Sequence, residues 1–194
     1  MLDKIADLRK DFERFRDDCA WCRQVYLIHT ALFHGNKQTD TLLRDVAGWF
    51  FYDLSAITQE YNIVVVGRLT DPAGQPGRPN LSAPYLAARL SELGLCSLEI
   101  DIALDEVLSY REKITHSRHK LVAHRDRNTI ANRSFGASHA MEDVNRFHSS
   151  LNRFCDLVAI AIGLQPVDLS ALPAKGDVSE FIAFMRRARP HHDR

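Results

Sequence analysis

The stretch "NIVVVG", Asn62 to Gly67, decides the fold class. Its β-branched run, Ile63 to Val66, would suit a strand. No strand partner is visible elsewhere in the chain. The stretch therefore reads as the end of a long helix, from Thr41 to about Leu69. Leu43, Val46, Trp49, Phe50, Leu54, Ile57, Tyr61 and Val64 supply its expected buried side. With this segment helical, the chain reads as all-α, a bundle with short helices appended.

The segment before it agrees. Ile5, Leu8, Phe12, Phe15, Cys19, Cys22, Tyr26, His29 and Phe33 recur at spacings of three and four. That is a helical stripe sustained over roughly eight turns. Lys4, Asp7, Lys10, Asp11, Arg14 and Asp18 occupy the opposite face. "HGNKQTD" breaks the pattern, with Gly35 suited to a left-handed C-cap and Thr39 or Asp40 to the next N-cap.

Beyond Leu69, "TDPAGQPGRPN" is a loop dense in proline and glycine. "NLSAPYLAARLSELG" reads as a short capped helix ending at Gly94, and a third long helix is expected from about Leu98 to Ala123. "RDRNTIANRSFGASHA" lacks periodicity and reads as an exposed loop. A helix follows from Met141 to Ile162, with Val144, Phe147, Leu151, Phe154, Cys155, Val158 and Ile162 on one side. A linker, a short helix from Val178 to Arg187 and a polar tail complete the chain. The expected division is a helical domain over 1–165 and a C-terminal linker, helix and tail over 166–194.

The 194 residues suffice for one core. The formal net charge of zero removes the usual signature of a general nucleic-acid coater. No secretory pattern opens the chain and no apolar run approaches a membrane span, so the expectation is a cytoplasmic protein without a membrane partner. Four cysteines do not make a secreted disulfide framework. "CAWC", Cys19 to Cys22, has CxxC spacing, but it falls on the apolar seam and lacks a second ligand pair. It reads as core. His29 lies on the same seam and reads as a hydrogen-bonded core histidine, while His191 and His192 sit in the tail. Motifs for metalloprotease, phosphate-loop, dinucleotide and acyl-transfer chemistry are missing. No metal or other cofactor is expected.

The third long helix is different. At about 100° per residue, Ile100, Leu104, Val107, Ile114 and Leu121 share a stripe. Arg111, Arg118 and Arg125 fall on that stripe too, seven residues apart. A buried guanidinium needs a partner. Three explanations stand: carboxylates inside the bundle, snorkelling to a rim, or a stripe that leaves the core to line a cleft or subunit interface. Over 111–127, six bases (Arg111, Lys113, Arg118, Lys120, Arg125 and Arg127) meet two acids, Glu112 and Asp126, with His116, His119 and His124 beside them. Arginine forks suit phosphate oxygens, and histidine moves protons near neutral pH.

"RHKLVAH", Arg118 to His124, resembles the R-x(4–6)-H signature of the HEPN superfamily, the higher eukaryote and prokaryote nucleotide-binding helical domains. His119 fits the polar position that commonly follows the arginine. "RLTDPAGQPGRPNLSAPYLAARL", Arg68 to Leu90, together with "KLVAHRD", looks like the AbiU-type abortive-infection branch. The resemblance implies a HEPN-like bundle of four to five helices, usually a homodimer, with an Arg–His pair near the dimer cleft. It implies a metal-independent endoribonuclease serving as a toxin or antiphage effector. The alternative it admits is a catalytically inactive module that binds RNA, nucleotide or a protein partner. An antitoxin or regulatory protein is a further possible partner. Arg125 and Asp126 stand where some toxin branches carry a tyrosine.

On this resemblance Arg118 and His124 are the candidate catalytic pair, with His119, Lys120, Arg125 and Arg111 as candidate substrate ligands. His124 is the expected proton carrier and Arg118 the stabiliser of phosphoryl charge. Six residues turn an ideal helix by about 240° past a full turn. The pair therefore converges only if the helix ends or deviates before His124, or if a second subunit supplies one member.

Overall fold

Helix α1, Leu2–Phe33, buries the seam that its spacing announces. Leu8, Phe12, Phe15, Cys19, Cys22, Tyr26 and His29 are all buried along it. Among the described residues five further helices follow: α2 Lys37–Leu69, α3 Ala83–Glu92, α4 Leu98–Arg118, α5 Met141–Ala161 and α6 Val178–Ala188. The structure, a computed structural model, describes residues 2–118, 140–169 and 176–188, with side chains over 3–115, 140–169 and 176–188. Expectations for the rest of the third long helix, for "RDRNTIANRSFGASHA" up to His139, and for His191 and His192 lie outside the described residues.

Helices α1, α4 and α5, with α3 and the end of α2, make the main core. Contacts between α1 and α5 run in opposite order: Arg9 Nε donates to the Ile162 carbonyl at 2.8 Å, Phe15 meets Phe154 edge-on at 6.2 Å, and the Tyr26 hydroxyl meets Asn145 Oδ1 at 3.1 Å. The two helices are therefore antiparallel. Helices α4 and α5 are antiparallel by the same logic, with Glu106 accepting from Ser150, Tyr110 against Phe147 and Lys113 against Asp143. Burying large side chains such as Phe12, Phe147 and Phe154 stabilises this core by about 1.5–3 kcal/mol each. A second cluster gathers Leu32, Leu42, Leu43 and Phe51 with Ile182 and Met185, so α6 closes the far end of the α1–α2 pair.

The "NIVVVG" stretch is helical, inside α2. The expected buried side of α2 is corrected over most of its length. Leu43 is buried, but Trp49 is 79% exposed, Ile57 61%, Phe50 59% and Val46 47%. The helix breaks at Ala47, whose φ of −162° and ψ of 66° leave the helical region just before Gly48. Leu54 and Tyr61 still pack inward beyond it, so the exposed residues reflect a helix that is apolar on more than one side. Beyond it the inward seam is Phe51, Leu54, Thr58, Tyr61, Val65 and Leu69. Trp21 Nε1 donates to the Tyr61 hydroxyl at 2.7 Å and His29 Nδ1 meets Thr58 Oγ1 at 2.8 Å, pinning that seam to α1.

Two cap assignments also change. Gly35 does not adopt a left-handed φ. It fits because a Cβ there would lie 3.0 Å from the Ala31 carbonyl oxygen. Asn36, not Thr39 or Asp40, caps α2, its side chain accepting from the Thr39 amide at 3.0 Å. Gly94 does end α3, at φ 68°, with the Leu95 amide reaching back to the Leu90 carbonyl. The glycine- and proline-rich loop contains a hairpin, β1 Gly74–Gln75 with β2 Arg78–Pro79. At Gly74 (φ 86°) a Cβ would stand 2.5 Å from the Arg78 carbonyl oxygen, so glycine permits this close fold. Among the described residues no helix is long and apolar enough to cross a membrane.

Candidate functional site

Helix α4 carries the first part of the Arg–His motif, and its position follows from its buried stripe. Ile100, Ala103, Val107 and Ile114 are buried. Arg111 lies in line with them, and its Nη1 donates to the Thr70 carbonyl and to Asp71 Oδ1, the latter at 3.1 Å. Both side chains of the ion pair are about three-quarters covered, at 26% and 23% exposed. Among the three explanations for an arginine on this stripe, an internal carboxylate accounts for Arg111. The contact ties α4 to the end of α2, where the hairpin loop begins.

Two residues on, Lys113 Nζ meets Asp143 Oδ1 of α5 at 2.7 Å. The basic surplus counted over 111–127 is thus reduced by acids distant in sequence. Arg111 and Lys113 are its two members with described side chains, and each is paired.

Arg118 is the last residue of α4. Because α4 and α5 are antiparallel and Lys113 faces Asp143, α4 ends at the level where α5 begins. Tyr26 of α1 reaches the same end, its hydroxyl 3.8 Å from Met141 Sδ. Three helices therefore converge beneath the start of the motif. The side chain of Arg118, and all of His119, Lys120, His124 and Arg125, lie outside the described residues.

A family model described as AbiU2, a HEPN family, matches residues 5–181. The chain belongs to this family. The match runs from the first turns of α1 into α6, and so spans the Gly/Pro loop, the arginine stripe and the Arg118–His124 stretch. No curated protein and no solved structure shows a significant match to the chain.

Other chemistry-bearing residues of this AbiU2-family protein fall in its core. The thiols of Cys19 and Cys22 are free and buried. Burial pushes Cys22 up to about 12, and burial with the neighbouring Cys155 raises Cys19 strongly. Both are therefore protonated and poorly nucleophilic. His29 is lowered to about 4, by burial first and by His34 second, so it is a neutral partner of Thr58 at physiological pH. The sequence reading passed over Arg23 and His148. Burial, then the Arg23 charge, lowers His148 to about 3. Arg23 Nη1 is buried without a hydrogen-bond partner among the described residues. The available signal was Arg23 following Cys22 directly, at the edge of the α1 seam.

Proposed function

We propose that this AbiU2-family chain is an abortive-infection effector that cleaves RNA without a metal, using Arg118 and His124. The observation that carries the reading is the Arg118–His124 spacing at the end of α4 in a member of this HEPN family. The anchoring of α4 by Arg111 and Lys113 supports it, because a reacting arginine gains from a helix that cannot slide or rotate.

In the proposed reaction the ribose 2′-oxygen attacks the adjacent phosphorus and the bond to the 5′-oxygen breaks. His124 takes the 2′-hydroxyl proton, and a protonated histidine returns one to the leaving 5′-oxygen. Arg118 stabilises charge on the non-bridging oxygens. Lys120, Arg125 and His119 would position the backbone, while Arg111, committed to the Thr70 carbonyl and Asp71, would hold α4. The products are a 2′,3′-cyclic phosphate and a 5′-hydroxyl, and DNA, lacking the 2′-hydroxyl, stays intact.

Two histidines in opposite protonation states suit a homodimer, in which each copy contributes a pair. The outer face of α2 supports this reading. Trp49 and Phe50 alone expose roughly 300 Å² there, taking about 150–250 Å² for an aromatic side chain. Ile57 and Val46 extend the face to the scale at which apolar patches mark interaction sites.

The test is incubation of the purified chain with structured and unstructured RNA in EDTA. The expected result is cleavage by wild type and loss of at least about a hundredfold with His124→Ala, in the range of one proton-transfer group. Intact RNA with wild type, or equal cleavage by the variant, would overturn the assignment. Saturable RNA binding without cleavage, weakened by Arg118→Ala, would instead make the chain a binding module.

A further inference from the structure

Where α5 borders α4, polar side chains recur at spacings of three and four: Asp143, Arg146, Ser150 and Arg153. Asp143 meets Lys113 at 2.7 Å, while Ser150 and Arg153 meet the Glu106 carboxylate at 3.1 and 3.3 Å. Arg146 makes no such contact with α4 among the described residues. Its Nη1 stands 3.9 Å from Asp143 Oδ1, beyond hydrogen-bonding reach, and Lys113 already holds that oxygen. The Arg146 side chain is 73% exposed, so this contact contributes little to stability.

Asn145, the preceding residue, is exposed but oriented. The hydroxyl of Tyr26, itself buried, donates to Asn145 Oδ1 at 3.1 Å. A tyrosine anchored in the core thus sets the direction of the amide. Its Nδ2 carries two hydrogens and meets no acceptor among the described residues.

Both residues lie toward the end of the bundle where the Arg118–His124 stretch begins. Lys113 faces Asp143, and the two helices are antiparallel. Arg118 is five residues beyond Lys113, and Arg146 is three beyond Asp143. At 1.5 Å per residue their levels therefore differ by about 12 Å along the axis. A short run of nucleotides bridges such a gap. Glu142, also exposed in the first turn of α5, opposes an anion there.

We infer that the first two turns of α5 guide the RNA strand away from Arg118, with Arg146 on a backbone phosphate and the Asn145 amide donating to a base or sugar oxygen. An uncommitted arginine fork suits phosphate oxygens, and an oriented carboxamide suits the edge of an unpaired base. The inference rests on the RNA-cleaving reading of Arg118 and His124. It extends that site to two positioning residues outside the motif.

Fluorescence anisotropy of a labelled single-stranded RNA with the full chain tests this, in EDTA, across a salt series and with His124→Ala to keep the RNA intact. Adding Arg146→Ala should weaken binding about tenfold, the loss of one charge-assisted contact. It should also lower the slope of log K against log salt by about 0.7, the share of one phosphate on a single strand. Arg146→Lys keeps the charge and should restore the slope. Asn145→Ala should weaken binding at unchanged slope, and Glu142→Gln should tighten it. With His124 present, Arg146→Ala should raise KM and leave kcat near the wild-type value. A merely structural arginine would not move the salt slope, and Glu142→Gln decides the matter if Arg146→Ala fails to fold. Affinity and slope unchanged by Arg146→Ala, in a chain whose wild type cleaves RNA, would overturn this inference and leave the cleavage reading standing. Binding that depends on Arg146, without cleavage by wild type, would support the inference and sink the cleavage reading. No binding of RNA by any form would overturn both.

Discussion

Arg111→Ala separates what holds α4 from what the motif does. The wild-type guanidinium makes two contacts across forty residues of sequence, to the Thr70 carbonyl and to Asp71. A hydrogen bond to a charged group contributes about 1.5–3 kcal/mol net, and a partly covered ion pair up to about 1 kcal/mol. Truncation also leaves the Thr70 carbonyl, in a residue 1% exposed, without its arginine donor. The expected loss is about 2–4 kcal/mol. At about 2–4 °C per kcal/mol for a domain of this size, Tm should fall by about 5–15 °C. Urea unfolding followed by far-UV circular dichroism gives the free energy directly, with Asp71→Asn and the double variant completing a cycle. Arg111→Lys keeps the charge but not the fork and should recover only part of the loss. A Tm shift under about 2 °C for Arg111→Ala, with no coupling to Asp71, would refute the view that this contact locks α4 to α2.

Two other outcomes follow from burial. His29 and His148 have pKa values lowered from 6.5 to about 4 and about 3. The unfolded chain binds their protons first, so their stabilising contribution is complete above about pH 6.5 and is lost progressively as pH falls toward the folded values. At about 1.4 kcal/mol per unit for each differential proton, stability should drop by on the order of 3 kcal/mol from pH 7 to pH 5. A constant urea midpoint over that interval would contradict the neutral, buried state of both rings. Trp49→Asp places a charge on the exposed face of α2 and should turn the proposed dimer into a monomer, read by light scattering after size exclusion. An unchanged mass at micromolar concentration would move the interface elsewhere.

The helical architecture was legible because α1 and α5 keep one apolar stripe at constant spacing, and because Ser82 and Gly94 have the chemistry of helix ends. What failed was the choice of face. Helix α2 is apolar on more than one side, so its eight expected core residues include four exposed ones. The fate of a charge was hidden for another reason. Counting bases over 111–127 weighs only neighbours in sequence, whereas the partners of Arg111 and Lys113 come from the end of α2 and from α5. Arg23 and His148 escaped notice because neither forms a motif by spacing. Only packing α1 against α5 brings them to one cavity.

These contacts also narrow how an Arg118–His124 pair can work. An uninterrupted helix would set the two residues about 240° apart. Rotation of α4 cannot relieve that mismatch, since it turns both residues together. Convergence must therefore come from a change of backbone direction after Arg118, or from a second copy that faces the first. The two routes respond differently to a disrupted α2 face. If Trp49→Asp yields a folded monomer that still cleaves RNA, each chain builds its own pair. If cleavage disappears with the dimer, and mixing Arg118→Ala with His124→Ala chains restores part of it, the pair is assembled between copies. Restoration by mixing is the sharper reading, because a monomeric site cannot be rebuilt from two chains that each lack one of its members.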